Sequence, residues 1–155
     1  MIRTLAPAGV VAALLIGGVA VAQDFTAPPT SGAVTLAGGF APDPHTVSVL
    51  AGGRLDVGAA DLGPGCAGFI AEAPDFRLFF TPGTLPLYIS ALAETDTTLV
   101  INDPNGRWHC DDDTGGNLNP LVMFPTPTAG QYDIWIGTYT NTATAPATLR
   151  ISELP

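Results

Sequence analysis

The residues with the clearest chemical potential form an acidic segment between positions 96 and 113. It holds five carboxylates, namely Asp96, Asp103, Asp111, Asp112 and Asp113, and the last three are consecutive. Neighbouring carboxylates repel one another, and a hard cation that takes about six to eight oxygen ligands would hold them together in the folded chain. We therefore expect a calcium site built from these side chains, with backbone carbonyls supplying further oxygens.

The same segment has a second interpretation. A solvated acidic turn that keeps a protein soluble is the common role of a run of charges. A calcium loop of the EF-hand type is excluded, because no register follows D-x-[DN]-x-[DN]-G with Glu at the twelfth position. A calcium site here would therefore have to be assembled by the surrounding strands.

The strand that begins at Gln131 carries a second candidate site. Its face opposite the apolar residues holds Asp133, Trp135 and Tyr139. Aromatic rings beside a carboxylate can stack on a sugar or anchor a protein partner. The alternative function is therefore a module that binds a glycan or a surface protein through an exposed aromatic face, although the spacing also fits a second apolar layer.

Catalysis is not expected. Asp113, Thr114 and Gly115 spell the tripeptide of aspartic proteases, but those enzymes need two such aspartates in one cleft and the chain has one copy. The serines lack a G-x-S-x-G elbow, and only His45 and His109 could act as a base. We expect His109 to point outward from a strand, and we predict that the protein is not an enzyme.

The first 22 residues have the order of a secretory signal peptide. Arg3 precedes an apolar stretch over 10–21, and small residues at Ala20 and Ala22 mark the expected cut. This stretch is short, contains two glycines and is followed by no cationic cluster, which disfavours a membrane anchor. We predict cleavage before Gln23 and an extracytoplasmic protein, periplasmic or secreted, without a membrane segment.

The charge of the mature chain excludes several partners. Residues 23–155 hold four cationic residues against 14 acidic ones, a net charge of −10, and lysine is absent. Few cations are available to neutralise phosphates, so nucleic acid and anionic membrane surfaces are poor partners. We expect an unidentified protein or glycan as the partner.

Two cysteines, Cys66 and Cys110, make an even count in a chain predicted to be exported, where thiols are oxidised. They lack the C-x-x-C spacing of metal sites. We predict a disulfide, which would stabilise the fold by about 4 kcal/mol through closing a loop of about 45 residues. Trp108 shares a strand face with Cys110, so we expect it to pack near the bridge.

Short runs of alternating apolar residues must position these groups. Helical periodicity is nearly absent, whereas Gly and Pro divide the sequence into strand-length pieces. The predicted strands lie in segments 33–36, 46–50, 54–57, 76–80, 85–91, 98–101, 107–110, 121–124, 132–136 and 149–151. This pattern favours an all-β fold, an antiparallel β-sandwich or jelly roll of about eight strands over residues 33–155, with residues 23–32 as a leader.

The segments DTTLVINDPNGRWHCDDD and NPLVMFPTPTAGQYDIWIGTY resemble the bacterial pre-peptidase C-terminal domain and its stand-alone relatives. In that family a strand that opens on Asp leads to an Asp-Pro-Asn-Gly turn, then to acidic residues and a Gly-x-Tyr strand. The matching positions are Asp96, 103–106, 111–113, Gly130 and Tyr132, and the resemblance covers roughly residues 75–152.

The resemblance implies a β-sandwich that accompanies exported enzymes, sometimes binds calcium and has no catalysis of its own. This sequence departs from the family in carrying no peptidase domain, and Cys66 and Cys110 lie outside the family pattern. Residues and resemblance together predict a non-catalytic exported module that binds calcium through its acidic hairpin loop and serves as an accessory or binding domain.

Overall fold

The structure is a computed structural model that describes residues 23–155, and the predicted signal peptide, residues 1–22, lies outside the described residues. Within them the chain forms strands and no helix, so no helix there is long and apolar enough to cross a membrane. The strands are β1 (Ala33–Ala37), β2 (His45–Ala51), β3 (Leu55–Asp56), β4 (Phe69–Ile70), β5 (Phe76–Thr81), β6 (Leu87–Leu92), β7 (Thr97–Asn102), β8 (Trp108–Asp111), β9 (Leu121–Phe124), β10 (Gly130–Thr138) and β11 (Ala145–Ser152).

The strands pair into two sheets. The four-stranded sheet has the order β2-β11-β6-β9. In the seven-stranded sheet β1, β5, β10, β7 and β8 lie side by side, while β4 and then β3 continue along the edge of β10 beyond β5. The predicted all-β sandwich is confirmed, with one parallel pair, β1 with β5. It has eleven strands rather than about eight, because pieces as short as β4 form by pairing with neighbours and show no alternation of their own.

The main core lies between the two sheets. Leu78, Leu99 and Ile134 from the seven-stranded sheet meet Ile89 and Leu149 from the four-stranded sheet, and all five are fully buried. Each such side chain contributes roughly 1.5–3 kcal/mol relative to exposure. The apolar face predicted from alternation on these strands is therefore the face that the sandwich buries.

A second, smaller core covers the outer face of the seven-stranded sheet. Val57, Ile70, Val100 and Trp135 are fully buried in it. The chain between β2 and β5, residues 52–75, folds back over this face, and we call it the cover. Gly53 allows close packing within the cover, because a Cβ at this position would fall 2.1 Å from the backbone of Ile70. The central strands β7 and β10 are consequently buried on both faces.

The disulfide fastens this cover to the sheet. Cys66 and Cys110 are bonded, with their Cα atoms 4.9 Å apart, so the predicted pairing is confirmed. Cys110 on β8 lies opposite Val100 on β7, which lies opposite Trp135 on β10. The ring of Trp108 lies 5.5 Å from that of Trp135 and packs against the same cluster, as expected from its position beside the bridge.

Candidate functional site

Asp103 is buried in the turn after β7, where its carboxylate is fully engaged. Its Oδ2 accepts a hydrogen bond from Arg107 Nε at 2.9 Å and lies 3.0 Å from His109 Nε2. Its Oδ1 accepts from the backbone N–H groups of Asn105 and Arg107. Burial opposes the charged form, but these hydrogen bonds outweigh it and lower the pKa of Asp103 to about 2. Contrary to expectation, His109 does not point outward but is half-buried against Phe124.

Asp111 ends β8 and holds the base of the loop that follows. Its Oδ2 accepts from the backbone N–H groups of Thr114 and Leu121, at 2.9 and 2.8 Å, and its Oδ1 accepts from the Thr114 hydroxyl. These bonds close the segment between β8 and β9 into a compact loop. Asp111, predicted as a metal ligand, therefore stabilises this loop through hydrogen bonds in the described fold.

The other three predicted ligands lie in one neighbourhood. Partial burial, together with the charges of Asp113 and Asp112, raises the pKa of Asp96. Within residues 23–155, however, no three His, Cys, Asp or Glu side chains lie close enough to hold one metal ion. Three of the five predicted ligands, Asp96, Asp112 and Asp113, therefore lie near one another, whereas Asp103 and Asp111 are hydrogen-bonded within turns. Calcium binding by this loop stays a prediction.

The predicted exposed aromatic face on β10 is wrong. Trp135 is fully buried beneath the disulfide-linked cover, and its Nε1 donates to the carbonyl of Glu72. Asp133 is buried and pairs with Arg77 Nε at 2.6 Å. Tyr139 alone remains exposed. The second apolar layer, which the spacing also allowed, is what forms, because a loop distant in sequence folds over this side of the sheet.

The open surface of the sandwich is the outer face of the four-stranded sheet. Leu50, Leu92 and Met123 lie on it and are 55%, 44% and 48% exposed. These residues were not predicted from the sequence, although the sequence carries a signal for them. Leu50 lies on the same face of β2 as Ser48, and Leu92 lies on the same face of β6 as Ser90. A solvent-facing side of a strand usually carries polar side chains at such positions.

A cleft of about 410 Å³ opens at one end of this face. It is lined by Ser48, Val49, Leu92, Ala93, Glu94, Pro146, Ala147 and Thr148. Leu50 lies beside the cleft because it pairs with Pro146 across β2 and β11. The acidic loop borders the same end, since Asp96 follows the end of β6 by four residues. We call this surface, defined by Leu50, Leu92, Glu94 and Pro146, the sheet-end cleft.

Comparison with known proteins shows no family for this chain. No family model matches the sequence, and no curated protein matches it. Among solved structures, PliG, a periplasmic inhibitor of g-type lysozyme from Aeromonas hydrophila, is similar over 78% of this chain and 96% of its own, with 12% identity and a TM-score of 0.39. A likeness this weak carries no functional argument, and the resemblance to the pre-peptidase C-terminal domain stays a prediction.

Proposed function

We propose that the protein is a non-catalytic, exported binding module whose sheet-end cleft holds a basic segment of a protein partner. One observation carries the proposal: two exposed leucines lie beside a carboxylate on a sheet face that the rest of residues 23–155 leaves open. Exposed apolar side chains that cluster, rather than occur singly, mark interaction surfaces. An apolar floor with an acidic border suits a segment in which Arg or Lys stands next to a large apolar residue.

The charge of the chain supports a basic partner. Arg77 and Arg107 are already paired with buried aspartates, whereas no salt bridge within residues 23–155 engages Glu94, Asp112 or Asp113. These carboxylates are free to attract a cationic surface over about 8 Å at physiological salt. Such attraction speeds association and selects against acidic partners.

The position of Asp113 supports the absence of catalysis in this proposal. It lies on an exposed loop after β8. Aspartic protease chemistry requires two aspartates that share a proton inside one cleft. A single exposed carboxylate cannot reproduce that arrangement.

Calcium binding by Asp96, Asp112 and Asp113 is the finer part of the proposal. Burial raises the pKa of Asp96, and the charges of Asp113 and Asp112 raise it further; a bound divalent ion would relieve that repulsion. Backbone oxygens of the loop would have to complete the ligand set. The ion would then act as an accessory that orders the border of the cleft.

Biolayer interferometry on immobilised peptides tests the cleft. The panel contains dodecapeptides with Arg or Lys between Leu or Phe, and the same peptides with Glu in place of the basic residues. We expect the basic peptides alone to bind, with affinity that falls as salt rises, and Leu92→Ser to weaken binding at least tenfold because it removes the apolar contact.

Met123→Ser is the matched control. Met123 is exposed to a similar degree on the same sheet face, but it pairs with Tyr88 at the far end of β6 from Leu92. Its replacement should leave peptide binding unchanged. Equal binding of acidic peptides, no binding of any peptide, or an equal loss in both variants would contradict the proposal.

A further inference from the structure

Two acidic residues, Asp43 and Glu153, lie next to each other at the end of the four-stranded sheet opposite the sheet-end cleft. Asp43 lies in the loop before β2, and Glu153 directly follows β11. The backbone N–H of Glu153 donates to Asp43 Oδ2 at 3.1 Å, which joins two segments 110 residues apart. Ser152 pairs with Tyr88 at the start of β6, whereas the cleft and the acidic loop lie beyond Leu92 at its end.

Each carboxylate of this pair has one buried oxygen without a partner. Glu153 is only 3% exposed; its Oε2 accepts from the backbone N–H of Gly39, but its Oε1 accepts from no donor. Asp43 Oδ1 is likewise buried and unpartnered. Among residues 23–155, no Arg or His forms a salt bridge with either side chain. Buried charged oxygens in proteins are usually paired with a cation or bound to metal, so these two atoms are suited to bind a cation.

Two glycines shape the surroundings of Glu153 Oε1. A Cβ on Gly38 would lie 2.4 Å from the backbone nitrogen of Gly83 and 3.4 Å from Glu153 Oε1. The two glycine backbones therefore touch, and Glu153 Oε1 lies beside them. Further ligands of a hard cation at this position would have to come from backbone carbonyls or water.

We propose that Asp43 and Glu153 bind a calcium ion. Two carboxylates balance the charge of a divalent cation, and Ca²⁺ accepts the irregular oxygen geometry that a loop and a strand end provide, whereas Mg²⁺ demands a near-ideal octahedron. The ion fastens the segment after β11 to the loop before β2. This site goes beyond the proposed function, because it lies apart from both the cleft and the acidic loop.

Isothermal titration calorimetry and thermal unfolding in CaCl₂, MgCl₂ or EGTA test the site on the mature chain. Glu153→Gln and Asp43→Asn each remove one charge with little change of shape, and the double variant Asp112→Asn/Asp113→Asn is the matched control in the acidic loop. We expect one calcium site and a rise of Tm with calcium in the control variant. Glu153→Gln should weaken that site at least tenfold, and MgCl₂ should act more weakly than CaCl₂.

Two results would overturn the proposal. Calcium binding that survives Glu153→Gln but disappears in Asp112→Asn/Asp113→Asn would assign the ion to the acidic loop. Absence of any calcium effect in the control variant would mean that Asp43 and Glu153 bind no calcium. Should Glu153→Gln fail to fold, calcium titration of Asp43→Asn decides the question instead, provided that circular dichroism shows intact β structure in that variant. The peptide assay of the cleft is independent of all these outcomes.

Discussion

At the scale of single residues, Asp75 completes a strand edge that no strand covers. β10 pairs with β5 up to Ile134 and with β4 at Thr138, which leaves Ile136 between them. The Ile136 N–H donates to Asp75 Oδ2 at 2.7 Å, and the Ile136 carbonyl accepts from the N–H of Gly52. Burial raises the pKa of Asp75 to about 7, although the hydrogen bond from Ile136 lowers it.

Asp75→Asn should make the protein more stable at pH 8 and remove part of its pH dependence. The pKa of Asp75 is higher in the folded chain than the ordinary 3.8. The stability that Asp75 contributes is therefore fully present below about pH 4 and is lost as pH rises through about 7. Asn keeps the acceptor for Ile136 without the charge. We expect a gain of about 1–4 kcal/mol at pH 8 in urea unfolding. Asp75→Ala, which loses the acceptor, should destabilise at both pH 5 and pH 8, and identical pH slopes in Asp75→Asn and the parent would refute this account.

Asp103→Asn should destabilise the protein, the opposite of the effect expected for Asp75→Asn. The pKa of Asp103 is lowered to about 2, so its stabilisation is present above the ordinary value of 3.8 and is lost as pH falls towards 2. The amide cannot replace the charged acceptor of Arg107 and His109, and we expect a loss of about 1–3 kcal/mol at pH 6. Acid unfolding between pH 4 and pH 2 should also become shallower. Asp113→Asn, at an exposed position, is the control and should change the free energy of unfolding by less than about 0.5 kcal/mol.

At the scale of elements, β7 and β10 differ from the other strands because they carry apolar residues on both faces. Leu99 and Ile101 point into the main core, while Val100 between them points into the second core. On β10 the same relation holds for Trp135 between Ile134 and Ile136. A continuous apolar run, rather than alternation, is what a strand buried on two faces requires.

Removal of the disulfide should loosen the cover while the sandwich remains folded. We expect Cys66→Ser/Cys110→Ser to lower the free energy of unfolding by about 2–4 kcal/mol. Both tryptophans, Trp108 and Trp135, lie in the second core, so their fluorescence in the native state should shift to longer wavelength as water enters. Ala147→Ser, in the main core, is the control: it should destabilise the protein without shifting the tryptophan emission of the native state. Unchanged native emission in the cysteine variant would mean that the cover stays closed without its bridge.

At the scale of the whole molecule, the two outer faces of the sandwich are unequal. The seven-stranded sheet is covered by its second core, while the four-stranded sheet presents exposed leucines and a methionine. The two ends of the open sheet also differ, since one holds the sheet-end cleft with the acidic loop and the other the pair of Asp43 and Glu153. A peptide partner and the calcium ion proposed at Asp43 and Glu153 would therefore occupy opposite ends, so each can be removed without disturbing the other.

The sequence by itself determined the all-β class, the inward faces of the main strands and the disulfide. Alternation and turn residues act over neighbouring positions, so they can be read locally. The pairing of Cys66 with Cys110 followed from their number and the predicted export, and did not need a fold.

Only the tertiary structure decided which polar and aromatic groups are available. Trp135 is hidden because residues far earlier in the chain fold over it, and Asp133 is engaged because Arg77, 56 residues earlier in the chain, pairs with it. Asp43 and Glu153 meet across 110 residues, which no local pattern could indicate. Local spacing states which side of a strand a residue occupies, but what covers that side, or what charge lies beside it, depends on contacts between distant segments.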